Sequence, residues 1–279
     1  MRIFLAGATG VIGRQLVPLL RGAGHEVAGT TRKPERAEQL AAAGAEPVVV
    51  DVFDRDAIHE AVAAARPDVI MHKLTDLAEQ DFAANARLRI EGTRNLVDAA
   101  RAAGVERIVA QSIAWIYAPG DGPAAEDAPL DMDLPAIKGV MALEDAVAEL
   151  PHWVVLRFGR LYGPGTWHAA DGEHARLARA GEFPATQEWD ALLHVADAAT
   201  ASLAALDWPT GPVNVVDDEP ARGTDWVPVF CEAVGAPAPA VAEAAREGRA
   251  VSNALARSRG WEPRYPSWRE GFRAPNGPG

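Results

Sequence analysis

Short apolar runs alternate with helical patterns from residue 1 to about 160, and this alternation restricts the chain to one broad architecture. The runs lie at 3–6, 26–30, 47–50, 69–72, 107–111 and 153–158, and the helical patterns at 11–21, 34–43, 55–65, 85–103 and 140–150. A helix between two strands supplies the crossover that parallel pairing needs. Right-handed crossovers then place helices on both faces. The spacing therefore predicts an α/β fold built on a doubly wound parallel sheet of six strands. Past 158 the rhythm loosens. Residues 163–165 (Gly-Pro-Gly) and 167–171 read as loop, 192–195 as a strand, 197–206 as a helix and 213–216 as a strand returning to the core. Helical segments near 225–234 and 252–260 predict a small C-terminal lobe. The expected division is a core of 1–160 plus about 191–216, a substrate lobe of about 161–190 and 217–272, and a Pro/Gly-rich flexible tail at 273–279.

Composition narrows the function classes. With 279 residues and 48% hydrophobic content, the chain can bury a sizeable core. It contains no apolar run of about 18 residues, as a membrane span would need, and residue 1 leads directly into a strand-like segment, so a cytoplasmic location is expected. A net charge of −12 argues against a nucleic-acid partner. The single cysteine, Cys231, leaves no internal disulfide and reads as a buried small hydrophobe in a helix. The seven histidines show no HxxxH or HxH spacing, so no metal site is expected.

The first loop carries chemistry. Gly7-Ala8-Thr9-Gly10-Val11-Ile12-Gly13 stands between a strand and an amphipathic helix. Glycines let the chain turn sharply and let a pyrophosphate approach the backbone, while the helix end offers free N–H groups and a positive dipole. Gly7, Thr9, Gly10, Val11, Ile12 and Gly13 are therefore cofactor candidates. About twenty residues on, where an NAD site would carry an acid, the sequence reads Thr30-Thr31-Arg32-Lys33. Arg32, with Lys33 beside it, can clamp a 2′-phosphate, which predicts NADPH, with NADH as the alternative. The bland reading is a pair of solvated surface cations. Asp51, followed by Val52, either accepts from the adenine amino group or caps the next helix.

These residues resemble the extended short-chain dehydrogenase/reductase superfamily. The resemblance extends to Arg157-Phe158-Gly159-Arg160-Leu161-Tyr162-Gly163-Pro164-Gly165, His194-Val195-Ala196-Asp197, Ser252-Asn253-Ala254 and Gly260-Trp261, and covers nearly the whole chain. It implies a Rossmann core with a C-terminal substrate lobe and a nicotinamide cofactor bordered by Phe158, Gly159 and Leu161, with Gln111 at the end of the fifth strand. The family's Ser and Tyr-x-x-x-Lys are not here. Only three tyrosines exist, and Asp121, Thr166 and Arg269 stand four residues after Tyr117, Tyr162 and Tyr265. By the resemblance, Ala136 aligns with the tyrosine, Val140 with the lysine and Ile113 with the serine. Ser112 is its neighbour, and His72-Lys73-Leu74-Thr75 replaces the common His-Leu-Ala-Ala.

A hydride can pass without that tyrosine, because the cofactor carries it. The candidates for the missing proton are Ser112, Lys73, Tyr117, Tyr162, His168 and a water, with Ser112, Tyr162 and His168 as the catalytic choices. Lys73 could also bond the cofactor. A ketone beside a phenolic hydroxyl polarises itself, and the chain is similar to the triad-less, angucyclinone-type ketoreductases of aromatic-polyketide antibiotic biosynthesis. Trp115 and Trp167 should face the carboxyl ends of the strands and contact an aromatic substrate with Ser112, Ile113 and His168; core packing is the competing reading. Trp153, His72 and His194 read as structural and Lys138 as solvated. The expected function is NADPH-dependent reduction of an aromatic or polycyclic ketone. The alternatives are a non-catalytic NADP(H) sensor and a sugar-nucleotide epimerase or dehydratase. The small-molecule substrate is the only partner expected; the oligomeric state is left open.

Overall fold

The structure is a computed structural model that describes residues 1–76 and 81–274. The tail expected at 273–279 lies outside the described residues from 275 onward. Alternation of period produces the expected elements. They run β1 (Arg2–Ala6), α1 (Val11–Gly22), β2 (Glu26–Thr31), α2 (Ala37–Ala42), β3 (Glu46–Val49), α3 (Arg55–Ala65), β4 (Val69–His72), α4 (Phe82–Arg87), α5 (Thr93–Ala102), β5 (Arg107–Ile113), α6 (Ile137–Val147) and β6 (His152–Phe158). The second half adds β7 (Arg160–Tyr162), α7 (Glu173–Arg179), β8 (Trp189–Asp190), β9 (Leu192–His194), α8 (Val195–Ala204), β10 (Gly211–Val215), β11 (Ala221–Arg222), α9 (Gly223–Ala233), α10 (Ala254–Ser258) and α11 (Trp268–Gly271).

The main sheet has seven strands in the order β10-β6-β5-β4-β1-β2-β3. β1 pairs in parallel with β2 and β4, β2 with β3, and β4 with β5. The order reverses at β1, the topology of a Rossmann sheet. All four residues of β4 are buried, as a strand covered on both faces requires. Two small ladders, β8 with β11 and β7 with β9, complete the pairing.

Two compact units share the chain. One holds 1–112, 133–156 and 202–212; the other holds 113–132, 157–201 and 213–279. The first packs Phe4, Ile70, Leu96, Ile108, Leu143 and Val155 in one core, with Trp153 against it. The second is centred on Tyr162, Trp226, Phe230 and Trp268, with Cys231 buried among them.

Several local expectations change. The pattern at 85–103 is not one helix: α4 passes into a π-helical turn at Leu88–Gly92 before α5. The extra residue re-phases the apolar face, and Gly92 lets the turn close on Val52, whose Cγ1 would lie 2.9 Å from a Cβ at that position. The helix expected at 34–43 begins as a 3-10 turn at Pro34–Arg36. α6 spans Ile137–Val147 instead of 140–150 and ends short of Pro151, which disfavours helical backbone before it. β7, α7, β8 and β11 had no clear local signature: most are two or three residues long and are made by tertiary pairing.

Candidate active site

The first unit builds a tight glycine turn between β1 and α1. Gly7 has φ +92, which only glycine adopts without strain, and a Cβ there would lie 2.7 Å from the Lys73 carbonyl oxygen. Gly10 N closes the turn on Gly7 O at 3.0 Å. Gly7 N donates to Thr30 Oγ1 at 3.0 Å, so β2 fixes the loop. Gly10 caps α1 with no side-chain acceptor, and the first turn carries no acid. Among the described residues no side chain caps this first turn, which fits a dinucleotide diphosphate at its N–H groups. Thr9 and Val11 are half-buried, while Ile12 and Gly13 are buried beneath the loop.

Arg32 stands at the end of β2 with its side chain 47% exposed, and both terminal nitrogens reach Asp76 at 3.4 Å. The Arg32 guanidinium is thus paired with a carboxylate. Asn85 Oδ1 accepts from Asp76 N at 3.0 Å and holds that acid. Lys33 is exposed and its N donates to Thr31 Oγ1 at 3.1 Å. Asp51 is not the helix cap. Its Oδ1 accepts from Phe53 N at 3.0 Å, whereas Asp54 caps α3 by accepting from Ala57 N at 3.1 Å. Asp51 is exposed beside buried Val52.

The end of β4 brings Lys73 beneath the glycine loop, where Lys73 N donates to Ala6 O at 2.8 Å. The Lys73 side chain is buried, and burial lowers its ammonium to about 7. His72 is fully buried, paired with Thr93 Oγ1 at 2.9 Å, and burial together with the Lys73 and Arg89 charges lowers it to about 3. It is structural. Gln111 is half-buried and its Oε1 has no hydrogen-bond partner.

Around the start of α6 the side chains expected to align with the family's tyrosine and lysine are apolar. Ala136 is half-buried and Val140 is 1% exposed, with neither carrying a polar side-chain atom, and Lys138 is exposed. Ser112 is buried and donates to Glu144 Oε1 on α6 at 2.7 Å, so its hydroxyl proton is engaged.

The remaining candidates belong to the second unit. Phe158 and Ile113 are buried, and Leu161 is half-buried with its carbonyl at 3.0 Å from His168 Nδ1. Gly159 leaves room for the Ala191 carbonyl, 2.8 Å from where a Cβ would sit. Tyr117 donates to Asn214 Oδ1 at 2.6 Å and accepts from Arg157 at 2.8 Å. Tyr162 is fully buried against His194 and Phe272; burial, with Asp217 and Asp197, pushes its hydroxyl well above the ordinary range. His168 lies 2.9 Å from His174 among Phe183, Trp226 and Phe230, and burial lowers it to about 3. A neutral imidazole and a raised phenol, both packed in the aromatic core, are poor sources of a proton. Trp115 is half-buried with the Arg160 guanidinium 5.0 Å over its ring, whereas Trp167 lies against His174. The two indoles contact different neighbours.

Thr30, Asp76, Arg160, Glu188 and Arg246 escaped sequence reasoning. Thr30 alone had a local signal, as a residue near the end of β2 beside the loop.

Among the described residues, no helix is long and apolar enough to cross a membrane. The NAD dependent epimerase/dehydratase family matches residues 3–216. A Streptomyces protein named 3-diazoavenalumate denitrifying reductase is 43% identical, over 98% of this chain and 99% of its own. A Stigmatella aurantiaca protein named 4-hydroxy-2-methyl-3-oxo-4-farnesyl-3,4-dihydroquinoline-1-oxide ketoreductase is 33% identical over 43% of this chain and 36% of its own. The structure of UDP-glucose 4-epimerase from Thermus thermophilus, in complex with NAD, superposes with a TM-score of 0.80 at 26% identity, covering 98% of this chain and 97% of that one. The chain is an enzyme of the NAD(P)-dependent oxidoreductase type, and it belongs to the NAD dependent epimerase/dehydratase family.

Proposed function

We propose that this enzyme is an NADPH-dependent reductase that hands a hydride to an electron-poor aromatic substrate without drawing a proton from a side chain. One observation carries the reading: Ala136 and Val140, the positions that the resemblance aligns with the family's tyrosine and lysine, carry no polar side-chain atom, and Ser112 donates to Glu144. NADPH, when bound, supplies the hydride. The glycine loop and Arg32 would hold its phosphates, and Asp51 would accept from its adenine amino group.

An acceptor that needs no proton suits such a site. In an aryl diazonium, the hydride forms a new C–H bond, the C–N bond breaks with its electron pair leaving on nitrogen, and N2 departs. Charge and atoms balance with no proton consumed. The full-length likeness to a 3-diazoavenalumate denitrifying reductase favours this acceptor. An aromatic ketone is the second reading, favoured by the partial likeness to a ketoreductase. Its alkoxide must be protonated, and a neighbouring phenolic hydroxyl of the substrate, or water, would do this.

The test is NADPH oxidation, followed by absorbance, with the diazonium salt of 3-amino-4-hydroxycinnamate and with a panel of aryl ketones and hydroxyquinones. With NADPH deuterated at the transferring carbon, the label should appear on the ring carbon that lost nitrogen, as N2 is released. Label at a carbinol carbon instead would select the ketone. No oxidation above the enzyme-free rate with any acceptor would sink the reading.

A further inference from the structure

Around Trp115 the second unit gathers two guanidinium groups. Arg160 stacks over the indole at 5.0 Å, and Arg246 Nη1 donates to the Trp115 carbonyl at 3.0 Å. Each has one close acid. Arg160 Nε reaches Asp190 Oδ1 at 2.5 Å, and Arg246 Nη2 reaches Asp131 Oδ2 at 3.1 Å. Asp190 is fixed further, because its other oxygen accepts from Trp226 Nε1 at 2.8 Å. These two pairs neutralise each other.

Glu188 is held differently. Its Oε1 lies 3.9 Å from Arg160 Nη2 and 3.8 Å from Arg246 Nε, between the two guanidinium groups and beyond hydrogen-bond range of both. Arg246 Nε is buried with no hydrogen-bond partner among the described residues. Burial raises the Glu188 carboxyl above the ordinary range despite the two cations. A loosely held carboxylate thus sits where an arginine donor is unsatisfied, beside an aromatic wall. A better-placed carboxylate on a flat ring would satisfy that donor, stack on Trp115 and leave the local charge unchanged.

We propose that Trp115, Arg160 and Arg246 form a subsite for the carboxylate of an aromatic acid, with Glu188 as the resident carboxylate that the ligand displaces. This deepens the reductase reading by naming its substrate class, and it rests on that reading only for the reaction that follows binding.

The experiment is calorimetric titration of the full chain, with NADP+ present, using 4-hydroxycinnamate and its methyl ester. The acid should bind at least about tenfold tighter than the ester, the scale of a charge-assisted pair. Arg246→Gln should erase that preference. Glu188→Gln should tighten the acid by about threefold or more and leave the ester unchanged; this gain cannot come from misfolding. Equal binding of acid and ester, binding of neither, or a weaker acid in Glu188→Gln would overturn the proposal. Failure of every acceptor to oxidise NADPH while the acid still outbinds the ester would remove the reductase reading and leave the subsite. Turnover of the diazonium with no acid–ester discrimination would do the reverse.

Discussion

Gly10→Ala and Gly13→Ala separate the two tasks of the glycine loop. Gly10 has φ −73 and ψ 173, a conformation alanine adopts freely, and a Cβ there meets only Gly7 O at 3.2 Å. The folded state gives by a few tenths of an ångström, and a stiffer unfolded chain offsets that, so stability should stay within about 1 kcal/mol of wild type. The new methyl nevertheless stands at the exposed end of α1, among the N–H groups that face the diphosphate. Affinity for NADPH should drop at least about tenfold, or about 1.4 kcal/mol. Gly13 is the opposite case. Its Cβ would lie 2.3 Å from Gly7 O and 2.6 Å from Ala8 C and O, all backbone. Overpacking commonly costs about 1–3 kcal/mol, and rigid backbone on the clashing side points to the upper end. For a chain of this size that lowers the melting midpoint by roughly 5 °C. The assay is thermal unfolding with and without NADPH, which at about 100 times its Kd should stabilise wild type by about 2.7 kcal/mol. Gly10→Ala should keep the unliganded midpoint and lose about half or more of the NADPH shift; Gly13→Ala should lower the midpoint itself. A full NADPH shift in Gly10→Ala would refute phosphate binding at this loop. An unchanged midpoint in Gly13→Ala would refute the close packing of α1 on it.

Three further outcomes are expected. Arg32→Ala should raise the KM for NADPH by about tenfold or more while leaving NADH nearly unaffected, because only the 2′-phosphate needs the guanidinium; equal loss for both cofactors would contradict this role. Tyr117→Phe strips the partner from Asn214 Oδ1 and one partner from buried Arg157. Denaturant titration should show a loss of about 1–3 kcal/mol, and an unchanged midpoint would argue against the network. His72 and His168 are held neutral down to about 3, whereas the unfolded chain protonates both near 6.5. The unfolded state then binds more protons, so stability is intact above pH 6.5 and falls as pH drops from 6.5 toward 3. By pH 5 each histidine should withdraw about 2 kcal/mol, and urea unfolding that is flat between pH 7 and pH 5 would rule this out.

Much of the fold was legible because its signals are local. The short apolar runs of the strands, the helical periodicity between them and the glycines between β1 and α1 are properties of neighbouring residues. They determined the parallel sheet, the glycine turn after β1 and the absence of Tyr-x-x-x-Lys, which counting alone establishes. Tertiary structure decided what depends on distant contacts. The π-helical turn before α5 exists because Gly92 closes on Val52, forty residues earlier, and no periodicity records that approach. Tyr162 and His168 read as proton donors by residue type, yet their burial comes from Phe272, Trp226 and Phe230, brought in from the far end of the chain. Arg246 meets Trp115 across 131 residues of sequence, and Glu188 meets both arginines from a third segment. A charge in a sequence has no partner until the chain folds. Which acid each cation meets is therefore settled by packing, while the tight turn between β1 and α1 is already written in its glycines.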